Sequence, residues 1–238
     1  MDREQILTNV PQITDTGISW DPPVEEAKRR PILVRLLLLS LSLVILIVLP
    51  FAVLVWVSIF LYVTYGVQTW IALAGGVVAT ALVLTLYSAV VSKKLTGKAR
   101  IRVLAKRVAL PLVLAYCGYT LLYLSSVNAK TPDVRDYYRS LHPMLRIAVS
   151  TVILVDQDIV ITDLHRTPED YAAMGLPARI ESLHYRQSDG FVHAMDLRTV
   201  GREDWRNAIV EFYFKAAGLE TLRHVGTADH LHVALPSN

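Results

Sequence analysis

No charged residue occurs between Leu36 and Ser92, and this run limits what the chain can fold into more than any other feature. Fully helical, its 57 residues would extend about 85 Å at 1.5 Å each, against a hydrocarbon core of roughly 30 Å, so a single crossing cannot use them. A break is expected at Tyr65-Gly66-Val67-Gln68-Thr69-Trp70, where a glycine, an amide and a hydroxyl lie between aromatic side chains suited to a membrane interface. Spans are therefore expected at about 34–64 and 70–91. Pro50 falls inside the first and removes one helical hydrogen bond. Dividing the run there would leave two pieces of about 15 residues, too short to cross.

Residues 93–107 carry Lys93, Lys94, Lys98, Arg100, Arg102, Lys106 and Arg107 with no acid among them. A dense cationic loop marks the cytoplasmic side, and a third span is expected at about 108–126. The tail 1–31, expected to be mostly irregular, closes on Lys28-Arg29-Arg30 and starts inside. Three crossings (the membrane region 32–127) then deliver residues 128–238 to the outer face of a bacterial-type cytoplasmic membrane. The first span is too long for a signal-peptide core and lacks a small-x-small cleavage pattern, so it is expected to be retained. Membrane lipid is an expected partner. The fold class is membrane α-helical with three spans, plus a small α+β domain with a mainly antiparallel sheet.

Charge follows the same division. Residues 1–127 hold 12 Lys+Arg against 6 Asp+Glu, and residues 128–238 hold 12 against 15. The cationic excess belongs to the flanks of apolar spans and reports orientation, so no nucleic-acid partner is expected. Cys117 is the single cysteine and lies in an apolar run. Without an intrachain disulfide, an outer domain must be held by its core, to which a metal can add.

Within that domain, 131–146 reads as a short connecting helix, Ile147–Val155 as a strand, Asp156-Gln157-Asp158 as a turn and Ile159–Thr162 as its hairpin partner. Thr167-Pro168-Glu169-Asp170 starts a brief helix, with a capping hydroxyl, proline at the first position and acids in the first turn. Residues 191–199 alternate as a strand, 202–217 form a helix whose Trp205, Ile209, Phe212 and Tyr213 face is expected to be core, and two strands follow at about 221–225 and 230–235.

All seven histidines fall in the last hundred or so residues, so any chemistry is C-terminal. His184, Asp196 and the pair His230-Leu231-His232 are the ligand types that hold zinc while leaving one position open for water. In a strand, His230 and His232 project to one face, so both can approach a metal. His232 is the favoured ligand, with His230 beside the water. His193 reads as a packing or surface residue, His224 as a strand-edge residue, and His142 and His165 as solvated.

Four stretches in order, Ile161-Thr162-Asp163-Leu164-His165-Arg166-Thr167-Pro168, Ser182-Leu183-His184, Ala194-Met195-Asp196-Leu197-Arg198-Thr199 and Asp229-His230-Leu231-His232-Val233, resemble the zinc D-Ala-D-Ala carboxypeptidase and L-Ala-D-Glu endopeptidase family. The resemblance covers about residues 140–236 and none of the membrane part. It implies a hedgehog-like α+β fold, Zn2+ as cofactor, peptidoglycan stem peptides as substrate, and His184, Asp196 and His232 as metal ligands. Arg166 matches the family's arginine, suited to a substrate carboxylate or oxyanion. His184 and Asp196 stand further apart than is usual in the family, which implies an insertion around Gln187-Ser188-Asp189-Gly190-Phe191, and Val192 replaces a usual glycine. At the position of the family's catalytic glutamate stands Asp229. Two bases remain open: Asp229, or His230 in the role that related His-x-His endopeptidases give the first histidine. The function implied is a membrane-anchored zinc-dependent peptidase; the alternative is a catalytically degenerate domain of the same fold that binds peptidoglycan or a partner protein.

Overall fold

The computed structural model of the protein describes residues 12–14, 17–19, 32–173, 175, 177, 181–226 and 229–236. The chain divides into two compact units, Met1–Ile45 and Leu46–Asn238. In the first unit, strands β1 (Gln12–Thr14) and β2 (Gly17–Ser19) pair antiparallel, with Ile13 opposite Ile18. This hairpin is the described part of the expected tail: β-branched residues at Ile13, Thr14 and Ile18 favour extended backbone even in a polar setting. The rest of the expected tail 1–31 lies outside the described residues. Helix α1 (Ile32–Tyr65) starts in this unit, and its described side chains as far as Leu49 are all exposed.

Among the described residues, two helices are long and apolar enough to cross a membrane, α1 and α2 (Thr69–Thr96). They meet closely where α2 carries Gly75 and Gly76. A Cβ on Gly76 would stand 2.1 Å from Ser58 Oγ and 2.8 Å from the Leu54 carbonyl, so only glycine allows this approach. The loop expected over 93–107 is shorter than that. Helix α2 continues through Lys93 and Lys94 to Thr96 and is closed by Gly97 in the left-handed conformation. Helix then resumes as α3 (Ile101–Leu104), a π-helical segment (Ala105–Ala109) and α4 (Leu110–Leu122), which puts Arg102, Lys106 and Arg107 on helix rather than loop.

The greatest departure from expectation follows. Ile147–Val155 is no strand: it belongs to α6 (Pro143–Val155), capped by the His142 side chain with proline at its start. A short run of apolar residues is ambiguous between buried strand and buried helix, and the cap with Pro143 decides it. The expected connecting helix 131–146 is accordingly divided into α5 (Pro132–Asp136), a 3-10 turn (Tyr137–Ser140) and the first turn of α6. Helix α6 runs antiparallel to α4. Arg146 Nη1 donates to the Leu121 carbonyl at 2.5 Å, near the C-terminal end of α4, and Thr151 Oγ1 meets Tyr116 Oη at 2.7 Å one to two turns further along.

Four strands form one antiparallel sheet in the order β3-β4-β6-β5: β3 (Ile161–Asp163), β4 (Ala194–Arg198), β5 (Glu220–His224) and β6 (His230–Ala234). The brief helix is present as α7 (Pro168–Ala173), its start fixed by a reciprocal pair: Thr167 Oγ1 accepts from the Asp170 amide, and Asp170 accepts from the Thr167 amide at 2.7 Å. Helix α8 (Asp204–Ala216) forms where expected but turns the other way. Asn207, Val210 and Phe214 are buried, while Trp205, Ile209 and Phe212 are 63%, 58% and 72% exposed. The apolar residues on α8 outnumber what one face can bury, and Phe214 rather than Phe212 fills the core.

One cluster of buried side chains runs from Leu54 and Ile59 of α1 through Val113 and Cys117 of α4 to Leu145, Phe214 and Val233. The expected boundary at 127/128 is therefore a change in sequence character and not a break in packing.

Candidate metal centre

Register builds the centre. Asp196 on β4 and His232 on β6 are direct cross-strand partners, so their side chains leave the sheet on one face side by side. His184 arrives from a loop fixed at both flanks of its backbone: its carbonyl accepts from the Arg166 amide at 3.1 Å, and the Leu183 carbonyl accepts from the His193 amide at 2.9 Å. The bulge implied between His184 and Asp196 thus leaves their convergence intact.

Three ligand atoms meet at one point. Asp196 Oδ1 is 2.8 Å from His232 Nδ1 and 3.5 Å from His184 Nε2, and the two ring nitrogens are 3.3 Å apart. A tetrahedral ion about 2.1 Å from each donor needs donor spacings of about 3.4 Å. The donor set fits a metal of that size with little movement. His184 is also in the right tautomer. Its Nδ1 lies 2.7 Å from the Leu164 carbonyl, which can only accept, so Nδ1 carries the proton and Nε2 presents its lone pair to the centre.

Electrostatics keeps the carboxylate charged. Burial alone would raise the pKa of Asp196, but the hydrogen bond from His232 and the charge of Arg166 hold it well below the ordinary range. Arg166 spends its donors here: Nη2 reaches Asp196 Oδ2 at 2.6 Å and Nε reaches Asp163 Oδ2 at 2.6 Å. Expected as a substrate-binding residue, Arg166 is paired in the structure with Asp196 and Asp163. It also lines a cleft of about 610 Å³ together with Asp163, His165 and Tyr137.

The two candidate bases are placed differently. His230 Nε2 lies 3.8 Å from Asp196 Oδ1, and its ring stacks on His224 at 4.6 Å. Asp229 is held by Arg223, whose Nε and Nη2 donate at 2.8 and 3.0 Å, and by the Thr199 hydroxyl. These hydrogen bonds lower its pKa, which weakens it as a base.

A second set of potential ligands was not anticipated: His142, Asp189 and His193. His142, expected to be solvated, is fully buried. His193 Nε2 donates to Asp189 Oδ2 at 2.9 Å, and His142 Nε2 lies 3.0 Å from Thr69 Oγ1. Asp189 comes from the insertion, whose Phe191 also meets Trp70 edge-on. The insertion therefore docks on the Thr69 end of α2. The available signal was His142 directly before Pro143, an N-cap position once α6 is recognised as a helix. His165, also expected to be solvated, stacks on Tyr137 at 5.0 Å.

No family model, curated protein or solved structure matches the chain.

Proposed function

We propose that the protein is a membrane-anchored zinc-dependent peptidase acting on peptidoglycan stem peptides, with a hedgehog-like outer domain. The observation that carries the reading is the preset tautomer of His184 facing Asp196 and His232. Bound to these three residues, zinc would supply a Lewis acid that brings the pKa of water to about 7. His230 is the residue beside the centre suited to move the proton. It would take one from water as the water oxygen bonds to the amide carbon, and give it to the nitrogen as the carbon–nitrogen bond breaks and the amine departs. Arg166 keeps Asp196 anionic and oriented, and the cleft beside it offers room for the peptide. Anchoring suits a polymer that cannot diffuse to its enzyme.

In this reading α1, α2 and the helical stretch 101–122 are three spans in a bacterial-type cytoplasmic membrane, with the N terminus inside and the cationic residues 93–107 on the cytoplasmic side. A reporter joined after Asn238 should be accessible only from outside.

Purified full-length protein should bind about one zinc per chain and release product from muropeptides; loss of zinc binding in the wild type would remove the reading. His230→Ala should lower turnover by about 10²- to 10⁴-fold with zinc retained. Asp229→Asn should lower it by less than about tenfold if His230 is the base. A second reading has one observation in its favour, the capture of Asp229 by Arg223: a domain of the same fold that holds zinc and binds peptidoglycan or a partner without cutting. Zinc without turnover would select it.

A further inference from the structure

The exposed stripe Trp205, Ile209 and Phe212 recurs at positions i, i+4 and i+7, directly opposite the buried Val210 and Phe214. An apolar face this continuous on a helix that already has a core side needs a second cover. Its position in the fold says which. Arg206 of α8 pairs with Asp156 just beyond the end of α6, and Tyr213 Oη donates to the Ala148 carbonyl at 3.0 Å. Helix α8 therefore lies antiparallel along α6, as α6 does along α4 through Arg146–Leu121 and Thr151–Tyr116. The three helices are level with one another. Past the C-terminal end of α8, a Cβ on Gly218 would come within 3.3 Å of Ile59 on α1. Leu112, Leu114 and Leu122 of α4 are exposed at the same level as the stripe, as are Leu154 and Val155 beside Asp156.

We propose that the outer leaflet of the bilayer covers Trp205, Ile209 and Phe212, so that α8 is a lipid-facing helix of the outer domain. The inference rests on reading α4 as part of a membrane span. At the N-terminal end of α8, Arg202 and Arg206 pair with Asp156 and Asp158, while Glu203 and Asp204 are exposed acids beside Trp205. A helix held this way fixes the height of the sheet, and with it the metal centre, relative to the membrane surface.

The test uses the full chain in phosphatidylcholine vesicles with brominated acyl chains. One variant keeps Trp205 alone, through Trp20→Phe, Trp56→Phe and Trp70→Phe; another keeps Trp56 alone. Brominated chains should quench both tryptophans at least about twofold. Quenching of Trp56 but not Trp205 overturns the proposal and leaves the spans standing. Quenching of neither overturns the span reading and the proposal together. Should the triple replacement fail to fold, a nitroxide on Ile209→Cys in a Cys117→Ala background gives the same answer. It should be more accessible to oxygen than to a water-soluble nickel chelate, and the reverse order overturns the proposal.

Discussion

Among the described residues the chain carries two clusters with the same ligand types, two histidines and an aspartate, and a single backbone contact sets them apart. At His184 the ring Nδ1 meets a carbonyl, that of Leu164, and must donate. At His142 the ring Nδ1 accepts from an amide, that of Met144 at 3.3 Å, so its proton sits on Nε2, the nitrogen that faces Asp189 and Thr69. At His184 a lone pair therefore points into the first cluster, beside the His232 N–H that donates to Asp196, and at His142 an N–H points into the second. Metal at the second would require His142 to give up its helix cap. Residue type and proximity are alike in the two places, and the partner of the other ring nitrogen is where the two geometries differ.

The largest expected effect tests that distinction directly. His184→Ala should weaken zinc binding by more than about a hundredfold, since loss of a ligand exceeds the 10- to 100-fold cost of losing an outer partner. His142→Ala, measured by the same competition against a chelator, should leave affinity unchanged within about twofold. Equal losses from the two variants would show that the tautomer argument misassigns the clusters.

Arg166 sharpens the comparison next. It is the full cation paired with Asp196, whereas Asp189 in the second cluster faces His193 and His142, accepts from the Phe191 amide and lies nearer solvent. Arg166→Ala should leave a buried carboxylate without its counter-charge and lower stability by about 3 kcal/mol in metal-free protein. Added zinc should restore much of this, because the ion supplies the missing positive charge. A thermal-unfolding shift that zinc does not reduce would place Arg166 outside the centre's electrostatics.

Much of the first cluster was legible in the sequence, because its ligand types are distinctive and strand alternation places His230 and His232 on one face. The cross-strand pairing of Asp196 with His232 needed the sheet register, which no local pattern encodes. The second cluster was hidden by one error: reading Ile147–Val155 as a strand left His142 with no helix to cap. Helix α8 failed similarly. Its apolar residues occupy two faces, and the choice between Phe212 and Phe214 depends on what the rest of the chain brings to each side. The long apolar helices were plain from composition, but the Gly76 approach to Ser58 and the π-helical turn at Ala105–Ala109 are consequences of packing between them.

The smallest effect separates the two clusters by pH. Burial first, and then the His193 and Arg146 charges against the opposing pull of Asp189, push the His142 pKa down from 6.5 to about 3. In the unfolded chain the ring takes up a proton below about pH 6.5, while the folded protein refuses it until about pH 3. The unfolded state therefore binds more protons across that window, and stability falls as pH falls, by about 1.4 kcal/mol for each unit below 6.5. Other groups contribute to the pH dependence of the wild type, so the wild type alone does not isolate this contribution. His142→Asn can: an Asn carboxamide oxygen replaces Nδ1 as acceptor for the Met144 amide and keeps the helix capped, but does not titrate. Between pH 7.5 and 5.5 the wild type should lose about 1.4 kcal/mol more than this variant, read as the difference in thermal-unfolding shifts in detergent. Parallel pH profiles would mean that His142 is protonated in the folded state and that its ring does not cap α6 through Nδ1.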